Sequence, residues 1–167
     1  YASEELRGDK EVVLEAVTKN GNALKFALEE LQADREIVLA AVKEYGHALF
    51  YASAELRGDR EIVLAAVKKN GDALLHASED LFADREIVLE AVKENGYAFQ
   101  YLSADLQADK EIVLEAVKNR KDALAYASVE LQADEELSSI YEATAEELNR
   151  REKLLEFGLR YLREREG

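Results

Sequence analysis

Serine can act as a nucleophile in catalysis, and it recurs along this chain. Five of the seven serines stand in one column with a spacing of 25 residues and a single gap: Ser3, Ser53, Ser78, Ser103 and Ser128. A catalytic serine occurs once and needs a base and an orienting group beside it. A serine repeated along the chain therefore indicates a structural role, most simply that of a small residue between packed helices.

The two histidines, His47 and His76, are the next candidates, and the chain has no cysteine. Neither histidine has a second His or Cys at metal-ligand spacing, so the pattern predicts no transition-metal site. His76 takes a position that is aromatic in the other copies, which predicts a half-buried ring between repeats. No phosphate loop or nucleophile elbow is present. We expect no catalytic residue, no cofactor and no metal, and an enzyme remains a remote alternative.

Carboxylates form a second column, with one member in each copy: Glu5, Glu30, Glu55, Asp80, Asp105 and Glu130. Ca²⁺ takes six to eight oxygens at about 2.4 Å, and one carboxylate per helix spacing of ~10 Å does not supply them. Basic residues follow five positions later, at Lys10, Arg35, Arg60, Arg85 and Lys110. We expect ion pairs between adjacent helices. The adhesion-type tripeptide Arg-Gly-Asp occurs at 7–9 and 57–59, where helix capping and an inter-repeat joint already explain it.

The bulk composition excludes several partners. Hydrophobic residues make up 48% of the chain, charged residues 35%, and the net charge is −14. So acidic a surface repels nucleic acid and anionic membranes. No apolar run approaches the roughly 20 residues of a membrane span, so the expected protein is soluble and, by default, cytoplasmic. Pro, Cys, Met and Trp are all absent, which is typical of a sequence selected for regularity by design or consensus building.

The elements that position these residues form a tandem repeat of 25 residues. Repeats 1 to 5 open at Asp9, Asp34, Asp59, Asp84 and Asp109. In each, an Asp N-cap and an Ile/Val/Leu-rich run predict a first helix. In repeat 1 Asn20-Gly21 ends this helix with Gly in a left-handed conformation, and a Gly stands at the same position in repeats 2 to 4 but Lys121 in repeat 5. Asn22 is the predicted cap of a second helix from Ala23 to about Leu31. Helices this short persist only by stacking, so the pattern predicts an all-α solenoid of two-helix repeats.

Three segments follow from this pattern. Residues 1–8 are a partial repeat with a second helix only, 9–133 hold the five repeats, and 134–167 are divergent capping helices. The last of these opens with a capping box, Thr144-Ala145-Glu146-Glu147. We expect an uncovered apolar face at the N-terminal end and therefore possible self-association there.

The recurring D-[KR]-E-[VI]-V-L-x-A-V and N-G-x-A-L-x-[YF]-A-S-x-[ED]-L resemble a tandem helical repeat family known only as a domain of unknown function. The resemblance covers residues 1 to about 134 and departs at His76, at Lys121 and throughout 138–167. It implies an all-helical array used for binding, and it carries no activity.

Variation among the copies predicts where such binding would occur. The variable positions of the second helix share one face, away from the unvarying core positions. The candidate protein-binding face is His47, Phe50, Ala54, Arg57, Asp72, Leu75, Glu79, Phe82, Tyr97 and Gln100. Its apolar members either form an exposed patch or, for Phe50 and Phe82, fold back on the adjacent repeat. The predicted function is a non-catalytic scaffold, plausibly engineered, that binds protein or peptide. The alternative is a natural protein–protein interaction module.

Overall fold

Each repeat opens with a ten-residue α-helix, here called its long helix. The computed structural model describes residues 2–143, together with residues 150 and 153. The long helices are Lys10–Lys19, Arg35–Glu44, Arg60–Lys69, Arg85–Glu94 and Lys110–Asn119. A sixth helix runs over residues 135–143. The described residues form no β-strand, so the predicted all-α solenoid is confirmed. The predicted capping box at 144–147 lies outside the described residues.

The second half of each repeat is not one helix but two short pieces. A six-residue 3₁₀ helix comes first, at Gly21–Phe26, Gly46–Tyr51, Gly71–His76, Gly96–Tyr101 and Lys121–Tyr126. A closing segment follows, which is α-helical at Glu4–Gly8, Glu29–Gln32, Ala104–Gln107 and Val129–Gln132 and 3₁₀ at Leu56–Gly58 and Glu79–Ala83. The predicted second helix is thus divided at Ala27, whose backbone is extended.

Side-chain caps explain these boundaries. The carboxylate of Asp34 accepts hydrogen bonds from the backbone N–H groups of Glu36 and Ile37, which are free at a helix start. The long helix of repeat 1 ends at the extended Asn20, whose side chain accepts from the N–H of Asn22 and so starts the 3₁₀ helix. The cap is therefore Asn20 rather than the predicted Asn22.

Two layers enclose the core. The long helices of successive repeats pack side by side in one layer, and the 3₁₀ helices do so in the other. Fully buried Ile, Val, Ala and Leu side chains fill the space between them, for example Ile62, Val63 and Leu74 in repeat 3. Since each short helix buries one face on its neighbours, stacking rather than helix propensity stabilises the array.

The glycine column allows close approach between repeats. The predicted left-handed conformation is wrong, because no glycine among the described residues has a positive φ. A Cβ built on Gly21 would instead lie 2.2 Å from the carbonyl oxygen of Ala41 in the next long helix. Gly46 and Gly71 face the corresponding carbonyls at 2.4 and 2.3 Å. A side chain at these three positions would push neighbouring repeats apart.

A ladder of ion pairs joins the starts of the long helices. Lys10 Nζ lies 2.8 Å from Asp34 Oδ2 and 3.0 Å from Glu36 Oε2 of the next repeat. Arg35, Arg60, Arg85 and Lys110 use the equivalent acceptors. The ion pairs between repeats thus exist, but their acidic partners are the helix caps and not the predicted column of Glu5 to Glu130. The hydrogen bond from Lys10 lowers the pKa of Asp34.

Candidate binding face

The outer side of the 3₁₀ layer carries most of the exposed aromatic side chains. In repeat 2, the third and fourth residues of the 3₁₀ helix, Ala48 and Leu49, are fully buried, whereas Phe50 is 58% exposed. Equivalent or neighbouring positions in other repeats expose further large side chains: Phe26, Leu75, Tyr97, Tyr101 and Tyr126. We call this set, with Phe50, the aromatic face. It runs along the array because every repeat contributes to it.

Only half of the residues of the predicted protein-binding face are exposed to solvent. Its exposed members are Phe50, Ala54, Leu75, Glu79 and Tyr97, whereas His47, Arg57, Asp72, Phe82 and Gln100 are half-buried. Phe82 packs against the core, whereas Phe50 stays 58% exposed although its ring contacts His76 of the adjacent repeat. Burial against the adjacent repeat, the alternative given for both side chains, is therefore found for Phe82 but only as an edge contact for Phe50.

The column that holds Arg57 and Phe82 lies at the joint between repeats, where several of its other members bond backbone carbonyls. At this column Gln32 Nε2 donates to the carbonyl oxygens of Leu24 and Ala27, at 3.1 and 3.3 Å. Arg7 Nε donates to the Phe26 carbonyl at 2.7 Å. These side chains satisfy carbonyls left free at the end of a 3₁₀ helix. Gln107 and Gln132 make equivalent contacts, whereas the buried Nε of Arg57 has no hydrogen-bond partner among the described residues.

The two histidines meet in the middle of this face. Their ring centroids lie 5.7 Å apart, although 29 positions separate His47 from His76 in the sequence. Tyr45 lies 5.4 Å from His47, and Phe50 lies 5.3 Å from His76, both between ring centroids. The sequence shows no partner for either histidine, and only the stacking of repeats 2 and 3 supplies one. No group of three or more potential metal ligands occurs among the described residues.

Acidification is expected to weaken this cluster. Burial lowers the pKa of His76, and the nearby His47 and Arg57 lower it further, while Asp72 opposes them. The folded protein therefore binds fewer protons than an unfolded chain, whose histidine pKa is about 6.5. The stability contributed by neutral His76 is complete above about pH 6.5 and is lost as the pH falls from there to the lowered pKa.

Thermal unfolding between about pH 7.5 and 5 measures this effect. His76→Tyr, which restores the residue type of Tyr51, Tyr101 and Tyr126, is expected to flatten the melting temperature over that range. The cap carboxylates do not interfere, because their lowered pKa values place their loss of stability below about pH 3.8. If the melting temperature of His76→Tyr fell with pH as steeply as that of the parent protein, His76 would not be the group responsible for the pH dependence.

The serines of the repeated column form hydrogen bonds with the backbone. The hydroxyl oxygens of Ser53 and Ser128 accept from the N–H groups of Leu56 and Leu131, at 3.3 and 3.4 Å. Their backbone N–H groups donate to the carbonyls of Gln32 and Gln107 in the preceding repeat, both at 3.0 Å. Ser3, Ser53 and Ser128 thus cap their closing segments, a role more specific than the predicted small contact residue, whereas the side chains of Ser78 and Ser103 make no cap hydrogen bond.

An apolar groove of about 660 Å³ lies at the N-terminal end. Leu6, Val12 and Phe26 line it. Val12 is 42% exposed there, whereas the equivalent Ile37 is fully buried by the preceding repeat. Self-association through this groove stays a prediction. No helix among the described residues is both long enough and apolar enough to cross a membrane.

The fold and this face define an α-solenoid of tandem helical repeats with an aromatic surface on one layer. The chain belongs to the family described as a domain of unknown function (DUF4116), whose profile matches residues 1–32, 34–82 and 84–132. The second and third matches each span two of the 25-residue repeats, so a pair of repeats is the unit of that family. The predicted resemblance is confirmed. Neither the curated proteins nor the solved structures yielded a match.

Proposed function

We propose that this chain is a non-catalytic repeat scaffold whose aromatic face binds a protein or an extended peptide. The observation that carries the proposal is the exposure of Phe50, Leu75 and Tyr97 in three successive repeats. Contiguous exposed apolar side chains are typical of interaction surfaces, and aromatic anchors contribute much of the binding energy at such surfaces.

The other repeated positions support a scaffold because folding already employs them. Cap aspartates, glycines and serines each have a structural contact, and the histidines contact aromatic rings. No described serine is hydrogen-bonded to a histidine, which the activation of a serine nucleophile needs. A natural interaction module and an engineered scaffold both agree with family membership, so the proposal covers either origin.

Selection of binders from a displayed peptide library tests the proposal. Peptides selected on the parent protein are expected to lose at least tenfold in affinity for the double variant Phe50→Ser, Tyr97→Ser, since each change removes an exposed anchor worth about 1–2 kcal/mol. Both side chains are at least half exposed, so the fold is expected to tolerate the changes. Lys68→Ser, on the long-helix layer, serves as the control.

Two results would count against this function. One is a selection that returns no peptides above background. The other is a set of peptides that bind the double variant as tightly as the parent, which would place the binding surface elsewhere on the array.

A further inference from the structure

Rings and carboxylates alternate along one edge of the array. The sixth residue of each 3₁₀ helix is a ring: Phe26, Tyr51, His76, Tyr101 or Tyr126. The carboxylate column from Glu5 to Glu130 lies in the closing segments or directly before them, and all six of its members are exposed. Phe26, Tyr101 and Tyr126 are exposed, whereas Tyr51 and His76 are half-buried, so the ring is exposed to a different extent at different junctions.

Backbone hydrogen bonds bring the two columns to the same place. The N–H of Ser128 donates to the carbonyl of Gln107 at 3.0 Å. Tyr126 lies two residues before that donor, and Asp105 lies two residues before that acceptor. The N–H of Ser78 makes the same bond to Arg57, at 2.9 Å. The carboxylate of one repeat thus lies at the junction that carries the ring of the next.

This edge holds part of the unneutralised negative charge of the described residues, beside two cations of the same closing segments, Arg7 and Arg57. The chain has 36 acidic and 22 basic residues. The Lys/Arg ladder neutralises the carboxylates at the starts of the long helices. By contrast, none of the six closing-segment carboxylates forms an ion pair with a described residue. Their charge is available to a partner.

Two rings of the aromatic face already hold cations of the chain itself. Lys25 Nζ lies 4.6 Å from the centroid of the Phe26 ring, and the Arg120 guanidinium carbon lies 3.2 Å from that of Tyr97. Asp122 pairs with Arg120 at the same place. Guanidinium between a ring and a carboxylate is therefore a contact that this surface makes internally.

We propose that this edge binds a basic, extended segment of a partner protein, with one Lys or Arg side chain at each junction. The inference rests on the proposed function and names the chemistry of the partner. Packed helices are ~10 Å apart, and a chain in the extended polyproline II conformation advances about 3.1 Å per residue and repeats its side-chain direction every three residues. The matching segment therefore carries a basic residue at about every third position.

Fluorescence anisotropy with a designed peptide tests the inference. The probe has about 15 residues, with arginine at every third position and proline or alanine between, so that a polyproline II conformation presents the arginines on one side at the repeat spacing. Tyr126→Leu and Asp105→Asn are each expected to weaken its binding about threefold or more. Glu44→Gln, which removes one exposed negative charge from a long helix, is expected to change the affinity far less.

Peptide controls separate recognition from general charge attraction. A citrulline version, and a peptide with the same composition but contiguous arginines, are expected to bind more weakly. Equal losses for Asp105→Asn and Glu44→Gln, or equal affinity for the contiguous peptide, would overturn the inference. If library peptides bind through Phe50 while the arginine peptide does not bind, the scaffold function stands and this inference alone fails.

Discussion

Replacing Gly71 by alanine is expected to lower the free energy of unfolding by about 1–3 kcal/mol, as overpacking of a close contact does. The added Cβ would lie 2.3 Å from the carbonyl oxygen of Ala91 and 2.9 Å from the backbone nitrogen of Asn95. Both atoms belong to backbone that a rotamer change cannot move. The long helix of repeat 4 would have to shift away from the 3₁₀ helix of repeat 3.

Gly58→Ala is the matched control, because it is the same substitution in a position with space. The nearest atom to a Cβ there is Ser78 Oγ at 3.4 Å, an ordinary contact. Alanine already stands at this column in Ala33, Ala83 and Ala108. We expect stabilisation of about 0.4–1 kcal/mol, since alanine restricts the unfolded chain. Urea unfolding followed by circular dichroism measures both variants. Equal effects of the two substitutions would show that helix propensity, not inter-repeat contact, governs the glycine column.

Leu74→Ala is expected to cost about 2–5 kcal/mol, whereas Leu75→Ala is expected to cost less than about 1 kcal/mol. The two leucines are adjacent in one 3₁₀ helix, but Leu74 is fully buried and Leu75 is 41% exposed. Truncating Leu74 removes its transfer free energy and leaves a cavity between the layers. Truncating Leu75 removes contacts on the aromatic face only.

The same unfolding measurement separates this pair, and peptide binding provides a second comparison. Leu75→Ala is expected to weaken binding at the aromatic face while the protein stays folded. If Leu75→Ala destabilised the array as much as Leu74→Ala, the side chain would belong to the core. The aromatic face would then lose one of its three central members.

The repeat architecture could be read from the sequence because its signals are local. Each Asp cap accepts from N–H groups two and three residues later, so its role depends only on neighbouring residues. The division of the second helix was missed, although a signal for it exists. A serine column in the middle of a helix favours a new N-cap there, and Ser53 and Ser128 do cap the closing segments.

Which side chains of the binding face are exposed depends on contacts between repeats, and a residue pattern does not predict these contacts. Periodicity predicts that Phe50 and Phe82 share a face, yet the first is exposed and the second packs on the core. The reason is that Phe50 lies on a 3₁₀ helix and Phe82 on a closing segment, and in each repeat an extended residue separates these two elements.

By itself, the sequence determined the all-α class, the 25-residue period, the starts of the long helices and the buried columns. These follow from caps and hydrophobic spacing, which act over a few residues. Only the tertiary structure decided the proximity of His47 and His76, the carbonyl opposite Gly71 and the partners of the basic ladder. Each of these joins residues from successive repeats, so it depends on how far and at what angle one repeat is displaced from the next.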